Sequence, residues 1–142
     1  MKVIHGTWSD TKIKKFNFNK LGSTTFSNST SYYYAMTSLI GVWFSSEKIA
    51  VYPNHFEYEI NDDDFRCLSD NIDLVSLIES IIVNFYPQID EYEMMDNFSK
   101  SKKIGKEVRQ YLLDEGYTGI FIENDKEFGG SSWICFDLNC IK

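Results

Sequence analysis

The residues with chemical reach fall in three runs. His5-Gly6-Thr7 lies near the start, and Gly41-Val42-Trp43-Phe44-Ser45-Ser46 follows a long polar stretch. Gly116-Tyr117-Thr118-Gly119-Ile120 precedes a closing segment that holds Glu123, Asp125, Ser132 and Trp133. A neutral histidine offers one hydrogen-bond donor and one acceptor, the pair that sugar hydroxyls need. Gly6 has no Cβ, so its backbone can meet a flat amide closely. Trp43 presents a π face on which a planar ring stacks. Glu123 and Asp125 are carboxylates, which accept hydrogen bonds and carry negative charge when ionised. Each residue also has a structural use: His5 as a satisfied core histidine, Trp43 as a core aromatic beside Phe44, Ser45 as a turn residue, the carboxylates as solvated turn charges.

These runs need elements to hold them. Residues 1–6 are short, apolar and β-branched, which predicts a strand ending at a glycine. Residues 8–33 are rich in Ser, Thr, Asn and Lys, with Phe16, Phe18 and Phe26 spaced through them. That composition predicts an irregular segment pinned by its phenylalanines and able to lie over a cleft. Residues 39–44 read as a buried strand. A second strand lies within 51–60, where Phe56, Tyr58 and Ile60 alternate with Glu57 and Glu59. Asp70 or Asn71 can cap a helix running to Phe85, with Leu74, Leu77, Ile78, Ile81 and Ile82 at helical spacing and Pro87 to stop it. A second helix is predicted over 102–115, striped by Ile104, Val108, Tyr111 and Leu112, with Gly116 as its C′ residue. Two strands, 119–123 and 133–138, close the chain as a hairpin. Strands, then helices, then strands make a single α+β domain over residues 1–142.

Composition narrows the partners. The chain has 142 residues, 43% of them hydrophobic and 16% aromatic, enough to fill one core. Its net charge of −7 argues against a nucleic acid held by phosphate neutralisation, since Arg66 and Arg109 are the only arginines. The basic run from Lys100 to Lys106 reads as a solvated helix face, and Asp62-Asp63-Asp64 as an exposed turn. Three cysteines without CxxC spacing predict free thiols, no zinc site and a reducing, cytoplasmic location. No apolar run has the length of a membrane span. A cysteine hydrolase built on Cys67 with His5 or His55 would need a base within hydrogen-bond reach of the thiol, and no element is predicted to bring them together.

The order of the runs resembles the ADP-ribosyltransferases of the diphtheria-toxin/PARP branch. It is similar above all to compact phage and bacterial members that share H-G-T, G-x-[YW]-F-[ST], G-Y-D-G-[IV] and a closing Y-[IV]-x-F. That resemblance implies a split β-sandwich with two or more helices between the N- and C-terminal strands, and NAD⁺ as co-substrate. It assigns ligand contacts to His5, Gly6 and Thr7, to Trp43 as the stacking aromatic, to Phe44 and Ser45 beside it, and to Tyr52 in an A-x-Y element. It also implies transfer of ADP-ribose to a target protein. The size and the acidic turn after residue 60 are similar to small phage-encoded anti-CRISPR members acting in the host cytoplasm. Their target class would be a basic nucleic-acid-binding protein or CRISPR effector subunit, with residues 61–100 carrying its recognition.

Thr118 stands where the pattern has an Asp that holds a turn, and the catalytic position departs from the pattern too. The family's catalytic Glu aligns with Ser132, which also touches the ligand site on this reading. A hairpin turn centred between Glu127 and Phe128 would set Glu123 opposite Ser132, with Asp125 and Glu127 nearer the turn. Cβ atoms of opposed residues lie about 5 Å apart, so Glu123 or Asp125 can supply the missing carboxylate. A slip of one residue would turn Glu123 to the other face. The rival expectation is a silent NAD⁺-binding or protein-binding module that inhibits by occlusion.

Overall fold

A computed structural model describes residues 1–22, 31–126 and 130–142. Its strands are β1 (Lys2–Thr7), β2 (Val42–Ser45), β3 (Asn54–Glu59), β4 (Phe65–Asp70), β5 (Gly119–Asp125) and β6 (Gly130–Cys135). The helices are α1 (Tyr32–Met36, continued by a 3₁₀ turn over Thr37–Leu39), α2 (Asn71–Phe85), α3 (Glu91–Met95) and α4 (Phe98–Asp114). The α+β class expected from the sequence is present. Instead of two packed sheets, the strands form one six-stranded sheet in the order β3-β1-β2-β6-β5-β4. Only the β4–β5 pair is parallel.

Alternation along the strands divides the core between the two sheet faces. Ile120, Ile122 and Ile134 meet α1, α2 and α4 on one face through Met36, Leu74, Ile78, Val108 and Leu112. Val3, Phe44, Tyr58, Trp133 and Cys135 pack on the other, closed by Phe16, Phe18, Leu21 and the C-terminal Leu138 and Ile141. The polar 8–22 segment is thus pinned by Phe16 and Phe18, as its composition predicts; Phe26 lies outside the described residues.

α2 starts where Asp70 accepts a hydrogen bond from the Asp73 amide at 3.0 Å. Gly116 follows α4 with φ +98°, the left-handed value a helix-terminating glycine adopts. Other expectations need correction. The strand read from 39–44 begins only at Val42, and Leu39 sits in the 3₁₀ turn. Tyr32 and Tyr33, read as loop, are buried in α1, whose N-cap is Ser31. The segment 61–100 holds β4, α2 and α3, burying Phe65, Leu74, Ile78, Ile81, Ile82 and Met94 and leaving Ile72, Val83, Phe85 and Tyr92 exposed. No helix among the described residues is long and apolar enough to cross a membrane.

Candidate functional site

The sheet is weakest between β1 and β2. β1 pairs with β3 over its whole length, from Lys2↔Glu59 to Thr7↔Asn54. With β2 it pairs at Ile4↔Ser45 alone. Continuing that ladder would set His5 opposite Phe44 and Gly6 opposite Trp43. Instead, His5 Nδ1 donates to the Trp43 carbonyl at 2.7 Å, a side chain standing in for the missing backbone bonds. A carbonyl only accepts, so this assigns the proton to Nδ1 and leaves Nε2 with its lone pair. The ring is wedged among Phe16, Phe44 and Tyr58, at centroid distances of 5.0, 5.6 and 6.2 Å. Burial pulls the His5 pKa below its ordinary 6.5; the bond to Trp43 opposes this and the nearby His55 adds to it. The imidazole is therefore neutral at pH 7. Both uses foreseen for His5 meet in one ring, anchored in the core through Nδ1 and lining a cavity.

That cavity is a cleft of ≈ 1090 Å³ where β1 and β2 part, at the upper end of the volumes that hold small molecules. His5, Gly6, Thr7 and Trp43 form its sheet wall, and Tyr52 comes from the loop after β2. The indole N–H of Trp43 donates to the Thr37 carbonyl at 2.9 Å, which fixes the ring. The Tyr52 loop is tied to β3 by the Ile49 amide, which donates to His55 Nε2 at 2.9 Å. A Cβ on Gly6 would lie 2.6 Å from Tyr52 Cδ2. The flat group for which Gly6 makes room is thus the Tyr52 ring.

The charge of the cleft was not foreseen. Lys15, Lys20, Lys106 and Arg109 line it, and no Asp or Glu does among the described residues. Lys106 belongs to the run read as a solvated face; it is exposed, as that reading has it, and also lines the cleft. Arg109 stacks 3.9 Å over the Phe18 ring and donates to the Leu39 and Ile40 carbonyls at 3.4 Å each. Burial lowers its pKa, yet a guanidinium stays charged at neutral pH. Among the described residues no acid lines the cleft beside it, and a bound anion offsets the cost of a half-buried cation. The helical spacing of Lys102, Lys106 and Arg109 was the available signal, since residues three and four apart share a face.

Five expected site residues do not line the cleft. Phe44 is 1% exposed and belongs to the core. Ser45 turns its hydroxyl onto the Glu47 carbonyl at 2.6 Å. Ser132 is fully buried, and its hydroxyl donates to Asp125 Oδ2 at 2.6 Å. Glu123 is exposed and does not oppose Ser132. The hairpin pairs Asp125 with Gly130, but a bulge between Ile122 and Asp125 brings Ile122 opposite Ser132. Two residues on β5 face one on β6 there, which displaces Glu123 by one position. Asp125 is the carboxylate that reaches Ser132. It is 1% exposed, and its Oδ1 has no partner among the described residues. Ser45 is opposite Ser132 in the ladder and two residues from Trp43, so Asp125 shares a sheet face with Trp43, with β6 lying between its strand and β2. Glu127 lies outside the described residues.

Topology also removes the cysteine hydrolase. Cys67 is on β4, and three strands separate it from His5 on β1, roughly 19 Å at the usual strand spacing. No family model, curated protein or solved structure matches the chain.

Proposed function

We propose that the chain binds NAD⁺ in this cleft and acts as a mono-ADP-ribosyltransferase toward a protein. The observation that carries the reading is the lining itself: a neutral histidine, a fixed indole, unladdered β1 backbone and four cations with no acid among the described lining residues. A dinucleotide needs those features in combination. Its ribose hydroxyls match the Nε2 acceptor of His5, its flat nicotinamide ring the face of Trp43, its pyrophosphate the charges of Lys106 and Arg109. Peptide groups of β1 that lack a β2 partner suit a carboxamide, once the Tyr52 ring moves off Gly6.

The reaction breaks the bond between nicotinamide nitrogen and ribose carbon. Nicotinamide leaves with the electron pair, an acceptor side chain bonds that carbon, and the acceptor's proton passes to water. The group this chain offers to balance the developing positive charge is Asp125, after exchanging Ser132 for the ligand. An acceptor protein of basic character suits the net charge of −7, and a nucleic-acid-binding or CRISPR effector subunit falls in that class.

A second reading, binding without turnover, is favoured by the burial of Asp125 and its bond to Ser132. The test is incubation of wild type and Asp125→Asn with labelled NAD⁺ and host lysate, alongside calorimetric titration. Transfer reads as binding by both proteins and label incorporation or nicotinamide release only by wild type. Binding without release by either establishes the second reading, and no binding by wild type removes both.

A further inference from the structure

A smaller chamber of ≈ 250 Å³ adjoins the main cleft and shares Phe18, Asn19, Lys106 and Arg109 with it. Lys102 and Lys103 complete a lining that has four cations and no acid among the described residues. All four sit on α4 at spacings of one, three and four, which keeps them to one side of the helix. Two of them already build the wall. Lys102 donates to the Asn19 carbonyl, and Arg109 holds Phe18 and the carbonyls of Leu39 and Ile40. An ammonium has three donors and a guanidinium five, so each keeps hydrogens to give. Four cations converging on so small a space repel one another unless an anion joins them.

The volume has room for a phosphate group, and the lining of four cations asks for more than one negative charge. A phosphomonoester meets both demands: it is compact, carries close to two charges at neutral pH and presents three acceptor oxygens. Because the chambers share Phe18, Asn19, Lys106 and Arg109, they are close enough neighbours for one ligand to reach from one to the other. We propose that the side chamber receives a phosphomonoester on the bound dinucleotide, so that the cleft takes NADP⁺ in preference to NAD⁺. This rests on the dinucleotide reading of the main cleft.

Isothermal titration of the full chain at low ionic strength tests it, with NAD⁺, NADP⁺ and adenosine 2′,5′-bisphosphate as probes. NADP⁺ is expected to bind about tenfold more tightly, the value of one charge-assisted hydrogen bond, and the advantage shrinks at high salt. Lys103→Gln changes an exposed side chain and leaves the core intact. It is expected to bring the NADP⁺ to NAD⁺ affinity ratio toward one, and Lys102→Gln/Lys103→Gln to complete that loss. Equal affinities in wild type, or a ratio that survives the double variant, overturns the proposal. Should only the bisphosphate bind, in a Lys103-dependent way, the dinucleotide reading fails while the phosphate chamber stands. Should none of the three bind, both fail.

Discussion

Replacing His5 separates its two uses, because its ring nitrogens do different work. His5→Ala removes the 2.7 Å bond to the Trp43 carbonyl and empties the space among Phe16, Phe44 and Tyr58. The lost hydrogen bond contributes about 1 kcal/mol, and the emptied ring space about 2 to 3 kcal/mol by analogy with other large-to-small changes. At about 2–4 °C per kcal/mol for a domain near this size, the melting temperature should fall by roughly 10 °C. His5→Asn is the informative partner. Its amide N–H sits where Nδ1–H does and keeps the bond to Trp43, but no acceptor remains at the Nε2 position. Its cost should be only about 1–2 kcal/mol, for lost ring packing. NAD⁺ affinity should still fall about tenfold, the worth of a hydrogen bond together with the unpaired hydroxyl it leaves. Differential scanning fluorimetry and calorimetric titration of the two variants give both readouts. Wild-type affinity in His5→Asn would show that Nε2 touches no ligand. A fall under about 3 °C in His5→Ala, roughly 1 kcal/mol, would refute the wedge.

Three more outcomes follow from the same structure. The folded pKa of His5 lies below the unfolded 6.5, so above pH 6.5 both states hold a neutral ring and this residue adds no pH dependence. As pH falls below 6.5 the unfolded chain takes the proton first, and stability should drop until the folded ring titrates too; a melting curve of wild type against His5→Asn isolates the effect, and identical slopes would refute it. Gly41→Ala should cost more than Gly116→Ala in chemical denaturation. A Cβ at 41 would lie 2.4 Å from the Cys135 carbonyl oxygen in β6, whereas at 116 it meets nothing and pays only for its positive φ, about 1 kcal/mol. Asp125→Asn keeps an acceptor for Ser132 and removes a buried charge that has no described cation partner, so the melting temperature should rise by a few degrees; a fall of that size would show that a partner holds the charge.

The elements that could be read from the sequence are those whose own pattern matches their burial. In β3 and the residue after it, Phe56, Tyr58 and Ile60 point inward and Glu57 and Glu59 outward, as the alternation predicts. α2 and α4 carry apolar stripes, caps and a terminating glycine. β4 had no such signature. Phe65-Arg66-Cys67-Leu68-Ser69-Asp70 buries Phe65 and little else, because it is an edge strand held by parallel pairing to β5. α1 was hidden by its neighbours in sequence, a tract of Ser, Thr and Asn. Its helix exists because Tyr32, Tyr33, Ala35 and Met36 are buried against α2, α3 and α4, which is tertiary packing overriding composition.

The motif glycines show why a site is harder to read than a fold. Gly41 and Gly119 both flank β6, where a Cβ would meet the carbonyl oxygens of Cys135 and Ile134 at 2.4 and 2.5 Å. They serve strand packing. Gly6 serves Tyr52. A motif therefore mixes positions required by the backbone with positions required by a ligand, and only the distances separate them. Charge was the other blind spot. A net charge of −7 argues against a long polyanion, which samples the field of the whole surface. It does not argue against a small one. Screening confines exposed charges to a range of about 8 Å at physiological ionic strength, so an anion inside the cleft responds chiefly to the side chains that line it. Those are Lys15, Lys20, Lys106 and Arg109, drawn from two segments that become neighbours only when α4 packs behind the 8–22 strap. Helical spacing placed the α4 cations on one face, and the parting of β1 from β2 turned that face into the wall of a cleft.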